Sequence, residues 1–137
     1  MIRPATISDI PMILEMGRAF ASEAGVIDHV GWDDDTVIHL LEQLIALDEG
    51  ILIVGDNGMI GGIVSPHPYS GQIIFQELFW RSHGFEGIRL LKAAEQAAKE
   101  RGAKLSVMIG MDTLPDLERL YGRMNYKPME RLYCKDL

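Results

Sequence analysis

Apolar residues recur along the chain in two rhythms, a helical period near 3.6 and shorter unbroken or alternating runs, and their succession predicts the elements. Ile2 to Ala5 is a short apolar opening, read as a first strand interrupted near Pro4. Ile10, Ile13, Leu14, Gly17, Phe20 and Ala24 then fall at helical spacing. They predict an amphipathic helix over about 9–24, with Pro11 tolerated in its first turn and Gly25 ending it. After a linker over 26–32, Asp33, Asp34 and Asp35 supply caps and negative charge for the positive end of a second helix. That helix runs to about Leu47, with Val37, Leu40, Leu41, Leu44 and Ile45 as its stripe.

Ile51–Val54 and Met59–Val64 read as two antiparallel strands, because the intervening Gly55-Asp56-Asn57-Gly58 supplies the positive-φ positions of a tight hairpin. Gly61 and Gly62 inside the second strand mark a bulge or a close approach by another segment. Ser65 to Gly71 is a turn-rich connection to a third apolar strand over about 72–80. This strand runs directly into a Gly-containing turn, 81–87, and then into the clearest helix of the chain, 88–101. Leu90, Leu91, Ala94 and Ala98 line that helix, Glu95 and Lys99 form a favourable i,i+4 pair, and Gly102 stops it. A strand over 103–109 follows, so strand, helix and strand require a right-handed crossover and a locally parallel pair. A loop over 110–115, a short helix over 116–124 and a last strand over 126–135 complete the reading.

The 137 residues, 47% hydrophobic and 24% charged, suit one domain over 1–137 that buries roughly two-thirds of its unfolded surface. A net charge of −7 disfavours nonspecific binding to nucleic acid or anionic membranes, while leaving room for a local basic pocket and attracting cationic partners. The lone Cys134 excludes an intrachain disulfide framework and reads as a semi-buried free thiol. No signal-peptide pattern and no apolar run of membrane-spanning length is present, so a soluble cytoplasmic protein is expected.

Chemistry concentrates at the strand–turn–helix junction. A helix that starts directly after a tight turn presents unpaired N–H groups to whatever sits in the crook, and an anion such as phosphate suits them. Gly84 and Gly87 let the backbone fold closely around a bound group, and Arg81 and Arg89 offer positive charge, which fits a diphosphate-bearing cofactor. Glu86 opposes that reading, since a carboxylate beside a phosphate repels it, and a purely structural turn is an equal alternative. Glu77, on the strand entering the turn, is either a paired structural carboxylate or a general base whose pKa burial has raised. Tyr121 lies on the stripe of the short helix as a core or boundary tyrosine. His29, His39, His67 and His83 stand at no metal-ligand spacing, so no metal site is expected; His83 alone adjoins the turn, as a ligand contact or a solvent-facing side chain.

These residues carry a resemblance to the GNAT family of acyl-CoA-dependent N-acetyltransferases, and in particular to phage and bacterial members, over essentially the whole chain. The similar stretches are Glu77-Leu-Phe-Trp80, Gly87-Ile-Arg-Leu-Leu91, and the ending Leu120-Tyr-Gly-Arg-Met-Asn-Tyr126 through Glu130. The family's phosphate turn has the form Arg/Gln-x-x-Gly-x-Gly/Ala. Arg81 and Gly84 match the first two anchors, Glu86 stands at the third, and Gly87 comes one place late. In a second register His83 and Gly84 take the Arg-Gly places and Gly87 opens the helix.

The resemblance implies an α/β (α+β) fold: a central mixed, mostly antiparallel twisted sheet flanked by about four helices, with strands splayed at the cofactor cleft. It implies transfer of an acetyl group from acetyl-CoA to a primary amine by direct attack. Glu77 would act as base, and Tyr121 would protonate the departing sulfur. The backbone of Leu78, Phe79 and Trp80 would hold the thioester and its developing oxyanion. Arg81, His83, Gly84, Phe85, Gly87, Ile88 and Arg89 would hold CoA. Asp28 and Trp32, in the loop between the first two helices, would face the amine, a small molecule or a peptide, although the nearby aspartates serve equally as caps and a solvated face. A noncatalytic acyl-CoA-binding module is the alternative, and exposed edge strands make a homodimer plausible.

Overall fold

In a computed structural model that describes residues 1–111, 114 and 116–137, the strands assemble into one sheet in the order β1-β2-β3-β4-β5. β1 (Arg3–Pro4), β2 (Gly50–Val54), β3 (Met59–Pro66) and β4 (Ile73–Arg81) pair antiparallel in sequence, and β5 (Leu105–Val107) joins β4 in parallel. The helices are α1 (Ile10–Glu23), α2 (Ile27–Val30), α3 (Asp34–Ala46), α4 (Glu86–Glu100) and α5 (Asp116–Arg123). The result is a mixed, mostly antiparallel α/β architecture, as the sequence predicts.

Alternation along the strands sends side chains to opposite faces and creates two apolar layers. Ile51, Ile53, Ile60, Val64 and Phe75 pack under Leu90, Leu91, Ala94 and Ala98 of α4. On the other face Leu52, Val54 and Met59 meet Ile10 and Ile13 of α1 and Leu41 and Leu44 of α3. Local chemistry starts both helices of that second layer. Arg3 grips Asp9 with two nitrogens at 2.7 and 2.9 Å, while Asp9 also accepts the Thr6 N–H at 2.8 Å ahead of α1. The Arg3 hydrogen bonds and the Thr6 N–H hold the Asp9 carboxyl well below the usual carboxylate range. Asp33 caps α3 by accepting the N–H and hydroxyl of Thr36.

Both expectations for Gly61 and Gly62 are met. The β3–β4 register shifts between them, so that Gly61 faces Phe79, Gly62 faces Glu77 and Leu78 is an extra residue on β4. The strands also come close: a Cβ on Gly62 would lie 2.4 Å from the Gln76 carbonyl oxygen and 2.5 Å from the Phe75 ring. Because the bulge breaks the alternation, Leu78 and Phe79 both turn toward the α1–α3 layer while Trp80 packs on the α4 side.

Several boundaries differ from the expected ones. The linker over 26–32 contains the short α2, α4 begins at Glu86 rather than 88, and β5 is three residues long rather than spanning 103–109. No strand forms over 126–135. Met129, Leu132 and Tyr133 do not alternate, so a strand there would have no single face to bury, and Pro128 removes a ladder donor. These residues are exposed instead. Cys134 is likewise exposed rather than semi-buried, with its Sγ 3.6 Å from His29 Nδ1. The loop expected over 110–115 includes residues 112, 113 and 115, which lie outside the described residues. No helix among the described residues is long and apolar enough to cross a membrane.

The Gly62 contact is with backbone, which cannot rotate away. Gly62→Ala is therefore expected to destabilise the fold by about 1–3 kcal/mol. Urea denaturation would reveal this as a lowered midpoint at unchanged slope; an unchanged midpoint would refute the close approach.

Candidate active site

β4 and β5 are partners only where Ile74, Phe75 and Gln76 face Leu105, Ser106 and Val107. From Glu77 onward β4 stays paired with β3 through Arg81 but has no ladder partner on its β5 side among the described residues. Two side chains serve the peptide groups of the diverging chain in place of a strand. The Ile109 N–H donates to Glu77 Oε1 at 3.3 Å, and the Tyr121 hydroxyl donates to the Ile109 carbonyl oxygen at 2.7 Å. Glu77 and Tyr121, 44 positions apart by their residue numbers, thus meet at one residue of the opening.

Only 4% of Glu77 is exposed, and burial lifts its carboxyl to about 7 against the downward pull of the Ile109 N–H and Tyr121 hydroxyl. Such a group can change charge near neutrality. Burial raises the Tyr121 hydroxyl, and the neighbouring Glu77 charge raises it further, so the phenol keeps its proton and remains a donor. Around this pair stand Trp80, whose ring lies 6.1 Å from that of Tyr121, and Tyr126 at 5.5 Å. The Tyr126 hydroxyl donates to Glu95 on α4 at 2.8 Å and shares a 2.7 Å hydrogen bond with Ser106 on β5. Tyr126 thereby ties the end of α5 to both elements of the crossover. The Trp80 indole N–H is buried without a partner among the described residues. An orphan donor of this kind costs about 1–3 kcal/mol, and a bound acceptor would relieve it.

At the upper end of β4 the chain turns through Ser82 to Phe85 into α4. Gly84 takes φ +64°, a conformation that only glycine adopts freely, and faces open space. The backbone N–H groups of His83, Gly84, Phe85, Glu86 and Ile88 have no hydrogen-bond partner among the described residues, while those of Gly87 and Arg89 reach Gly84 and Phe85 only at 3.4 Å. The ring of Phe85 is 86% exposed and does not fill the turn. Gly87 is buried, and a Cβ there would meet the Ser82 hydroxyl at 2.4 Å. Glu86, which the sequence sets against anion binding, turns its carboxylate into the β2–β3 turn and accepts the N–H groups of Asp56 and Asn57.

Arg81 points to α1, where it donates to the Met16 carbonyl and pairs with Glu23, both at 3.2 Å. Arg89 and His83 are exposed beside the turn, and Arg89 has no ion pair among the described residues. Leu78 and Phe79 sit at the bulge, and Ile88 is half-buried in the first turn of α4. Asp28 is exposed on α2. Trp32 is half-buried, donates to Asp34 at 2.8 Å, and with Ala21, Val26, Val30 and Val37 lines an open groove of about 570 Å³. Asp34 also pairs with Arg18, so Asp33 and Asp34 are both engaged within the fold. A second groove of about 430 Å³, carrying Lys92, Lys99 and Lys104, runs between α4 and β5. Among the described residues no group of three or more His, Cys, Asp or Glu side chains is placed to hold a metal.

Sequence reasoning missed Tyr126, Glu95, Ser106 and the Ile109 backbone as parts of this site. The first of these had a signal, an aromatic directly after a turn residue, and Asn125 does adopt φ +67°. The others are set by long-range register, which has no local signature.

A raised carboxyl has a thermodynamic consequence. Between about pH 4.5 and pH 7 the folded state keeps a proton on Glu77 that the unfolded chain releases, so stability falls as pH rises through that window. At 1.36 kcal/mol per unit the fall is about 3 kcal/mol. Glu77→Gln is expected to flatten it, measured as urea midpoints at about pH 4 and about pH 8. Parallel pH profiles for the two proteins would contradict the burial of an ionisable Glu77.

No family model and no curated protein matches the chain. Solved structures do. A transcriptional regulator from Bacillus halodurans C-125 is 22% identical with a TM-score of 0.74, the match covering 100% of this chain and 99% of that one. Ribosomal-protein-alanine N-acetyltransferase from Brucella melitensis biovar Abortus 2308 is 16% identical, TM-score 0.71, with 100% and 99% covered. An aminoglycoside N-acetyltransferase solved in complex with CoA is 12% identical, TM-score 0.72, with 100% and 93% covered. At these identities the likeness is one of fold, and the chain has the fold of the GNAT-type acetyltransferases.

Proposed function

We propose that this chain transfers an acetyl group from acetyl-CoA to a primary amine by direct attack. The observation that carries the reading is the set of backbone amides of His83, Gly84, Phe85, Glu86 and Ile88 that have no partner among the described residues, beside the β4–β5 divergence. A diphosphate is the group such amides suit, and the buried, unpartnered Trp80 N–H supplies a further donor beside them. Arg89 adds positive charge at the rim and His83 an exposed ring beside it, while Arg81, at the start of the turn, is also held to α1. Bound acetyl-CoA supplies an activated thioester.

Glu77, with a carboxyl near 7, takes a proton from the amine directly or through water once the pH exceeds that value. A backbone N–H of β4 at the bulge, between Leu78 and Trp80, steadies the negative charge that develops on the carbonyl oxygen. Tyr121, whose phenol stays protonated, gives its proton to the departing sulfur. An amine acceptor is supported by the neighbours, one of which was solved with the aminoglycoside sisomicin. Asp28 and Trp32 lie at the loop that would face it. The net charge of −7 favours a cationic small molecule or peptide over nucleic acid or an anionic membrane, and a cytoplasmic enzyme fits that chemistry.

Calorimetry with CoA and acetyl-CoA, followed by thiol release on a panel of amines, tests the proposal. Tyr121→Phe is expected to lower kcat by about 10²–10⁴ while leaving the KM for acetyl-CoA nearly unchanged. In Glu77→Gln the rise of rate with pH near 7 should disappear. Absence of binding at millimolar CoA would defeat the proposal. Binding without turnover on any amine would instead favour a noncatalytic acyl-CoA-binding module.

A further inference from the structure

Glu86 stands in the first turn of α4 directly after the open amides of Gly84 and Phe85, where a charge left free would lie close to an incoming phosphate. Its carboxylate is instead drawn down into the β2–β3 turn, where Oε2 accepts the Asp56 N–H at 3.0 Å and Oε1 the Asn57 N–H at 2.9 Å. Glu86 is only 8% exposed. The fit leaves no spare room. A Cβ on Gly55 would lie 2.6 Å from Glu86 Cδ and 2.7 and 2.9 Å from its two oxygens. Gly55 itself is held by its N–H to the Gly58 carbonyl at 2.9 Å, so the receptor for the carboxylate is a closed hairpin turn rather than a loose loop. The same carboxylate sits in the first turn of α4, where negative charge is favourable to the helix end.

We propose that the β2–β3 turn is a latch that withdraws the Glu86 charge from the cofactor's phosphate path, which makes Gly55 and Glu86 paired positioning residues for the anion-binding turn. The inference rests on the acyl-CoA reading above. On that reading, an acidic residue at this place is compatible with anion binding while the two hairpin amides hold it. Two backbone N–H groups neutralise part of its charge, and both carboxylate oxygens are engaged at the hairpin rather than with any amide of the turn.

Gly55→Ala separates the latch from the charge. It keeps the carboxylate but fills the space that the carboxylate occupies, so the charge must swing out toward the turn. CoA binding, measured by calorimetry on the full chain, is expected to weaken about tenfold in Gly55→Ala, the size of one partly screened charge repulsion. Glu86→Gln, which retains one of the two hydrogen bonds and carries no charge, should stay within about threefold of wild type. The double variant should return to the Glu86→Gln level, because no charge is left to displace. Thermal melts of all four proteins show whether each is folded. Lowering of Tm without a change in CoA affinity, or a double variant as weak as Gly55→Ala, would overturn the latch and leave a structural contact only. Failure of the wild type itself to bind CoA would remove the cofactor reading and the latch with it, and is distinguishable because no variant then has a reference affinity.

Discussion

The parting of β4 from β5 after Gln76 is the constraint on which the site depends. A parallel pair that separates inside a folded protein leaves peptide groups that must find other partners, because a buried unpaired N–H or carbonyl costs as much as a lost hydrogen bond. Here the partners are ionisable or hydroxyl side chains, Glu77 for the N–H of Ile109 and Tyr121 for its carbonyl. The same divergence therefore gathers a buried carboxyl and a phenol at one residue, Ile109. Burial then sets the chemistry of that pair, raising Glu77 to about 7 and keeping the Tyr121 phenol protonated.

The two ends of the cleft are prepared by different means. At the turn, Gly84 with φ +64° and the start of α4 leave a set of amides open to an anion, and the side chain best placed to block them, Glu86, is bound elsewhere. In the middle, the Leu78 bulge breaks alternation so that neighbouring side chains of β4 serve opposite layers, with Leu78 and Phe79 packed on α1 and α3 and Trp80 on α4. Gly61 and Gly62 make that bulge sterically possible.

Much of this was legible in the sequence where the signal is local. Ile10 and Ile13 at helical spacing, the paired glycines of β3 and the abrupt passage from apolar strand to helix all correspond to what forms, and the hairpin over 55–58 joins β2 to β3 as expected, although none of its four residues takes the positive φ that the sequence suggests there. Contacts between distant segments are harder to read. Arg81 reads as a phosphate ligand from its place at the turn, and nothing local announces that Met16 and Glu23 are brought beside it. Glu86 reads as an obstacle until the hairpin, 30 positions earlier, supplies two amides. A last strand was expected from aromatic and aliphatic content, but its residues lack the alternation that would give them a buried face, and three-residue β5 offers little edge to extend.

Amide NMR on the uniformly labelled protein, titrated with CoA, gives the most direct test of whether the open turn is the anion site. Shifts should concentrate on the backbone N–H groups of Gly84, Phe85, Glu86 and Ile88 and on the Trp80 indole N–H, the groups that lack partners among the described residues. If those signals stay in place, or if the shifts fall instead on Lys92, Lys99 and Lys104 in the groove between α4 and β5, the turn is not where this protein meets the phosphates.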